Sequence, residues 1–226
     1  MVKITLKDNS QMEVEEGLTI LEIAKKISEG LARVATVGEV NGEIKDLRTV
    51  INEDCKLNIL TFENDLNGKK AYWHTTSHIM SQAIKRLYPE MKLAIGPSID
   101  NGFYYDFDTD KPFTPEMLAE IEAEMKKIIK EDLPLERFEL PREEAIKFME
   151  EKEEPYKVEL INDLPEDAVI SFYKQGEFTD LCAGPHLMST GKVKAIKLLS
   201  SSGAYWRGNE KNKMLQRIYG ISFPKA

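Results

Sequence analysis

The stretch "HTTSHIMSQAIKRLYP", residues 74–89, reads as the greater part of a long helix that spans about 68 to 88. Ile79, Ala83 and Leu87 recur at helical spacing, and Pro89 ends the pattern. Its first turn holds His74 and His78, four residues apart and therefore on one face. A second pair with the same spacing, Cys182 and His186, lies in "FTDLCAGPHL", residues 178–187. The two pairs use all three histidines of the chain and one of its two cysteines. Such economy requires a fold that brings both pairs to one place. Strand alternation sends Asp180 to the same side as Cys182.

Around this helix the sequence predicts an α+β domain with antiparallel strands. "MKLAIGPSIDNGFYYDFD" reads as two strands around an Asn101-Gly102 turn. Thr114-Pro115, a capping residue followed by proline at the first helical position, opens a helix. Met117, Ile121, Met125 and Ile128 give that helix its core face. "PREEAIKFMEE" is a shorter helix, and "EPYKVELI" adds a further turn or two. "AVISFYKQGEFTDLC" is a hairpin over Gln175-Gly176, and strands near 194–205 and 213–222 follow.

Upstream, residues 1–62 read as a small β-grasp unit. Val2, Ile4 and Leu6 alternate with Lys3, Thr5 and Lys7, the period of a half-buried strand. "QMEVEEG" returns after a turn. Thr19 and Glu22 form a capping box ahead of a helix whose buried stripe is Ile20, Ile23, Ala24 and Ile27. Asn41-Gly42 turns a hairpin, "KLNILT" closes the unit, and Cys55 is structural. "FENDLNGKK", residues 62–70, is polar and contains Gly68, so a linker is expected there before a second domain over 63–226.

Composition fits an ordinary globular protein: 226 residues, 42% hydrophobic, 31% charged, net charge −8. No apolar run approaches the roughly 18 residues of a membrane span, and "MVKITLKDNS" has a strand pattern rather than that of a signal peptide. Two cysteines make no disulfide framework, so a reducing cytoplasm is expected and no membrane partner. The charge is uneven. Residues 116–167 carry 18 Asp/Glu against 8 Lys/Arg, whereas Lys192–Arg217 holds seven basic residues and Glu210 alone. Patches of this kind, more than total charge, steer a phosphate backbone.

Three imidazoles and a thiolate make a full tetrahedral zinc set, or three ligands plus an activating site. His74, His78, Cys182 and His186 are therefore candidate metal ligands. "HTTSH" lacks the glutamate next to the first His that a zinc peptidase uses as general base, which argues against that class.

"HTTSHIMSQAIKRLYP", "IGPSIDNGFYYDF", "EPYKVE", "FTDLCAGPHL" and "GAYWRGNEKNKMLQRIYG" together resemble the N-terminal half of bacterial threonyl-tRNA synthetases. The resemblance covers nearly the whole chain. It implies a TGS domain over 1–62 and, over 63–226, an editing domain shared with alanyl-tRNA synthetases. The implied activity is hydrolysis of serine misattached to the threonine tRNA. A synthetic site separates serine from threonine by one methyl, worth only about 1–3 kcal/mol, so a second, hydrolytic site is needed. Carried over by motif, His74, Lys157, Asp180 and Cys182 are the catalytic candidates, with Asp180 as anchor for the seryl ammonium. His78, His186, Tyr105 and Gly96 then shape the substrate pocket. The resemblance implies that no cofactor is required, although the four His/Cys residues permit zinc. ATP and threonine would belong to a catalytic domain whose motifs are not recognisable here, so editing without aminoacylation is expected. Expected partners are the acceptor end of tRNA(Thr), the serine moiety and the remainder of the synthetase. The basic stretch should face the tRNA and the acidic region should face away. Two rival readings stand beside this one: an RNA-binding module with a structural His/Cys zinc site, and a stand-alone trans-editing factor.

Overall fold

The alternation at the start of the chain does form a strand. In the computed structural model, which describes residues 1–225, β1 (Val2–Thr5) buries Val2 and Ile4 and pairs antiparallel with β2 (Gln11–Val14). A two-residue strand, β3 (Leu18–Thr19), leads into α1 (Ile20–Ile27). Thr19 Oγ1 accepts from the Glu22 N–H at 3.1 Å while the Glu22 carboxylate accepts from the Thr19 N–H at 3.0 Å. This is the reciprocal cap expected from the sequence. A second helix, α2 (Glu29–Val34), was not expected; six residues are too few to display a helical period. β4 (Ala35–Val40) turns through Asn41 and Gly42, both at positive φ, into β5 (Glu43–Lys45). β6 (Val50–Ile51) and β7 (Cys55–Thr61) follow. The sheet runs β2-β1-β7-β4-β5, with β1 and β7 parallel and the other pairs antiparallel. Ile20, Ile23 and Ala24 of α1 join Ile4, Val14, Leu57 and Ile59 in one core, which gives the β-grasp arrangement.

Packing divides the chain into Met1–Tyr72 with Gly184–Met188, and Trp73–Ala183 with the chain from Ser189 onward. The division falls inside α3 (Leu66–Leu87) rather than in a linker. Residues 62–70 are ordered by their own contacts. Phe62 is buried, and Thr61 and Asn64 exchange two hydrogen bonds, at 2.9 and 3.2 Å, that shape the turn into α3. Gly68 is a packing glycine: a Cβ there would lie 2.1 Å from the Thr61 carbonyl oxygen.

The second unit begins on that helix. Its apolar positions suggested one buried face, yet every residue from Ala71 to Ile84 is buried except His74, which is half-open. Polar side chains survive this because each finds a partner nearby. Ser77 and Ser81 donate to carbonyls one turn back, and Thr76 bonds Ser222 at 2.8 Å. β8 (Lys92–Leu93), β9 (Ser98–Ile99) and β10 (Gly102–Asp108) come next, then α4 (Pro115–Glu131), capped by Thr114 and buried through Ile121, Met125 and Ile128. β11 (Leu135–Glu139) is a strand that the sequence reading missed. Pro134 and three charged residues obscure it, and Leu135 alone in it is fully buried. α5 (Arg142–Glu151) and α6 (Pro155–Asp163) pack together, and β12 (Ser171–Gln175) and β13 (Phe178–Leu181) form the expected hairpin. Two long strands, β14 (Ala195–Tyr205) and β15 (Met214–Phe223), end the unit. One sheet runs β14-β15-β10-β8 with β9 beside β10, and another runs β11-β12-β13. The whole is α+β, as the sequence predicts.

Candidate active site

Three elements of the second unit deliver chemistry to one place. The middle of α3 presents His74 and His78, with their rings edge to face at 5.1 Å between centroids. β13 runs on into Cys182, and Phe178, Asp180 and Cys182 share its buried side, as strand alternation requires. The Cys182 backbone is pinned to β12 in both directions: its N–H donates to the Ser171 carbonyl at 3.0 Å, and Ser171 Oγ donates back to the Cys182 carbonyl at 2.6 Å. Cys182 Sγ lies 3.5 Å from His74 Nε2. From α6 comes Lys157, on the same helix face as the core residue Ile161.

Behind the two imidazoles sits a buried ionic relay. Lys157 Nζ lies 2.9 Å from Asp180 Oδ1 and donates to the Tyr105 hydroxyl at 2.7 Å. Tyr105 in turn donates to Asp180 Oδ2 at 2.7 Å, and His78 Nε2 approaches the same oxygen at 3.4 Å. Lys157 is 3% exposed and Asp180 1%, so both charges have left water and depend on each other. Burial opposes the charge on Asp180, yet Lys157, His78 and the Tyr105 hydrogen bond together hold its pKa below the ordinary 3.8. Burial and Asp180 push the Tyr105 hydroxyl well above 10, so it stays a proton donor.

The imidazoles respond in the opposite sense. Burial, reinforced by His78 and opposed by Asp180, pushes the His74 pKa from 6.5 to about 3. Burial likewise takes His78 to about 4, against the pull of Asp180. Both rings are uncharged at neutral pH and keep a lone pair for a hydrogen bond or a metal.

Gly96 shapes this site by what it lacks. A Cβ there would fall 2.0 Å from Tyr105 Cδ2, so the tyrosine ring lies directly on the glycine backbone. The Gly96 carbonyl accepts from Ser77 Oγ at 3.2 Å, which ties that backbone to α3 between the two histidines. Ser77 was not singled out in the sequence, although it sits inside "HTTSH". Glu154 was also passed over; it is 4% exposed and three residues before Lys157. Helical spacing of an acid and a lysine in "EPYK" was the available signal.

His186 belongs by packing with the first unit, on the segment Gly184–Met188. Its N–H donates to Asp46 Oδ2 at 3.3 Å, and Arg48 donates to the carbonyls of His186 and Leu187 at 3.1 and 2.8 Å.

The donors of the second unit fit zinc. Ligand atoms of His74, His78 and Cys182 all lie within 4.8 Å of one another. The 3.5 Å between Sγ and Nε2 is close to an edge of a tetrahedron with Zn–N and Zn–S bonds of about 2.0 and 2.3 Å. Asp180 against His78 occupies the place of the outer carboxylate that orients a metal-bound imidazole.

The basic stretch does not stand apart from the acidic region. Lys197 approaches Glu122 at 3.8 Å, and Arg207 pairs with Asp163 and Glu159. Lys213 binds Asp108 at 2.7 Å, and Arg217 forks onto Asp106 at 2.7 and 3.0 Å. Much of the surplus expected to meet phosphate is met within the unit itself.

Comparison with known proteins agrees with this division of parts. Residues 2–61 match the TGS domain, and residues 170–219, which include Asp180 and Cys182, match the threonyl and alanyl tRNA synthetase second additional domain. A threonine–tRNA ligase of Acetivibrio thermocellus is 71% identical over 225 residues, covering 100% of this chain and 35% of the ligase. That of Caldanaerobacter subterraneus is 68% identical over 222 residues, or 98% of this chain and 34% of the relative. The ligase of Clostridium tetani is 66% identical over 225 residues, again 100% and 35%. The chain thus spans about a third of the length of these relatives. No described helix is long and apolar enough to cross a membrane. By motif, fold and similarity the chain carries a TGS domain and a threonyl and alanyl tRNA synthetase second additional domain, and it matches the N-terminal third of threonine–tRNA ligases.

Proposed function

We propose that residues 63–226 form an editing domain that hydrolyses the ester of serine misattached to tRNA(Thr), and that residues 1–62 are a TGS domain accompanying it. The observation that carries this reading is the buried Lys157–Asp180–Tyr105 relay set directly behind two uncharged imidazoles and a thiol. A structural metal site has no use for a desolvated ammonium at its back, which weighs against the zinc-knot alternative.

The residues divide into two groups by exposure. His74, the one half-open position on this stretch of α3, faces the accessible side and accepts a hydrogen bond from the attacking water. With its pKa near 3 it orients the water rather than storing a proton. For the same reason it does not readily take the proton of Cys182, so the thiol reads as a polar wall and not as a covalent nucleophile. Lys157 supplies positive charge towards the oxyanion that develops on the ester carbonyl. Asp180, read from the sequence as the anchor of the seryl ammonium, also has Lys157, Tyr105 and His78 as partners and so holds Lys157 in place. Gly96 and Tyr105 set the wall that admits serine and excludes the extra methyl of threonine. Zinc held by His74, His78 and Cys182 would supply a Lewis acid at the same ester; the hydrolytic reading does not depend on it.

The partners on this reading are the acceptor end of tRNA(Thr), the serine moiety and the rest of a synthetase, in the cytoplasm. The test is deacylation of seryl-tRNA(Thr) and threonyl-tRNA(Thr) by the purified chain. Serine should be released faster, and Lys157→Ala or His74→Ala should slow release by about 10²–10⁴-fold. Release of both esters at the buffer rate would end this reading.

A further inference from the structure

Glu154 occupies the N-cap position of α6 but does not cap it; no side-chain bond to its own first turn is made. A carboxylate at a helix start ordinarily accepts from those N–H groups. Here it turns the other way, into the protein, and is 4% exposed. One oxygen accepts from the Leu93 N–H of β8 at 3.3 Å, and the other lies 3.7 Å from Lys85 Nζ on α3. Lys85 is seven residues after His78, two turns along the same face of α3. Its ammonium also donates to the Pro89 and Met91 carbonyls, each at 3.0 Å, and so fastens the chain leaving α3 towards β8. Burial holds the Glu154 pKa above the ordinary 4.5, against the pull of Lys85 and the Leu93 N–H.

We propose that Glu154 and Lys85 are positioning residues for Lys157: a buried brace that locks the first turn of α6 to α3 and β8. The geometry explains why a helix gives up a capping bond and buries a carboxylate instead. Lys157 lies on that first turn, three residues past the brace, and must meet Asp180 from β13 and Tyr105 from β10 at hydrogen-bond distance. Tyr156 ties the outer side of the same turn, its hydroxyl donating to Asp108 Oδ2 at 2.7 Å, and Arg142 donates to the Ile161 and Leu164 carbonyls at the far end. The brace is the polar tie on the side that faces α3 and β8, where apolar contacts alone are non-directional and fix an ammonium poorly. The brace touches neither the ester nor the water. Its importance for hydrolysis rests on the function proposed above, whereas the positional claim does not.

The experiment compares wild type with Glu154→Gln and Lys85→Gln, and with Ile161→Val as a control that weakens the buried side of α6 without touching the brace. Steady-state deacylation of seryl-tRNA(Thr) is measured with the rate at which an amine-reactive reagent modifies Lys157, read by peptide mass spectrometry. Each brace variant should lose on the order of 10- to 100-fold in kcat with KM little changed, because a misplacement of about 1 Å costs that much. Lys157 should become modified several-fold faster in both. Ile161→Val should move neither reading. Glu154→Gln and Lys85→Gln proteins with wild-type kcat and unchanged Lys157 protection would overturn the proposal, as would a change confined to KM. Should wild type prove inactive, the proposed function falls while Lys157 protection still decides the brace. If Glu154→Gln does not fold, Lys85→Gln, which leaves α6 intact, decides alone.

Discussion

Replacing Gly96 by alanine adds one methyl group, and the structure says where it must go. The new Cβ would lie 2.0, 2.6 and 2.7 Å from Cδ2, Cγ and Cε2 of Tyr105. Carbon atoms in contact keep about 3.5–4.0 Å, so ring and backbone must part by roughly 1.5 Å. Tyr105 has no room for this: it is 1% exposed and stacked on Phe107 at 5.0 Å. Either the ring tilts, and its hydroxyl leaves Lys157 and Asp180, or the Gly96 backbone withdraws from Ser77. Overpacking costs about 1–3 kcal/mol, and each lost hydrogen bond to a charged partner about 1.5–3 kcal/mol. Since these losses overlap, we expect a total of about 3–5 kcal/mol. Urea unfolding of wild type, Gly96→Ala, Tyr105→Phe and the double variant measures it. The double variant should cost less than the two singles together, because the hydroxyl bonds are lost only once. Deacylation by Gly96→Ala should fall on the order of 10²-fold, the penalty for moving a catalytic group by about 1 Å. A Gly96→Ala protein within about 0.5 kcal/mol of wild type and with full kcat would refute the wall argument.

Stability should fall with acid through the buried histidines. His78 has a folded pKa near 4 against 6.5 in the unfolded chain, so between those values the unfolded state binds the extra proton and gains. The loss from His78 is about 3 kcal/mol when complete, His74 acts in the same direction, and Asp180, with its lowered pKa, adds its loss at still lower pH. Urea midpoints at pH 7.5, 6 and 5 should drop more steeply for wild type than for His78→Gln, and parallel slopes would remove His78 from the account. Zinc at a hundred times its dissociation constant should add about 2.7 kcal/mol of stability. Thermal melts with and without the ion should show this in wild type and not in Cys182→Ala; an equal rise in both would locate the binding elsewhere.

The parts legible in the sequence were those with a local signature. The capping box at Thr19, the Asn41-Gly42 turn and the alternation through Asp180 and Cys182 each occupy a few adjacent residues, and each formed. What stayed hidden depends on partners far along the chain. Tyr105 meets Lys157 across 52 residues and Asp180 across 75, with no period to connect them; only the family resemblance brought these residues forward. The polar residues of "HTTS" carry no local mark of burial. Their hydroxyls bond within the helix or to β15, so polarity gave no warning of burial. Which of the charges pair with one another was hidden in the same way, since Glu122 and Asp163 reach Lys197 and Arg207 only once the strands are folded.

Desolvating a lysine and an aspartate costs several kcal/mol per ion, and apolar residues of equal volume often stabilise a fold as well or better. Lys157 and Asp180 therefore need a reason beyond stability, and the proposed chemistry provides one. An ester carbonyl under attack by water develops negative charge, which a fixed ammonium in a dry setting stabilises without waiting for solvent to reorganise. Such an ammonium needs a fixed anion beside it, and Asp180 is held as one by three partners. It keeps its position only if its helix cannot slide, which is the part assigned to Glu154 and Lys85. The uncharged imidazoles complete the logic, because a protonated His74 would repel Lys157 and could no longer accept a hydrogen bond from water. Each unusual feature of this site, from the diverted N-cap carboxylate to the glycine under Tyr105, follows from the need to keep one positive charge dry, paired and still.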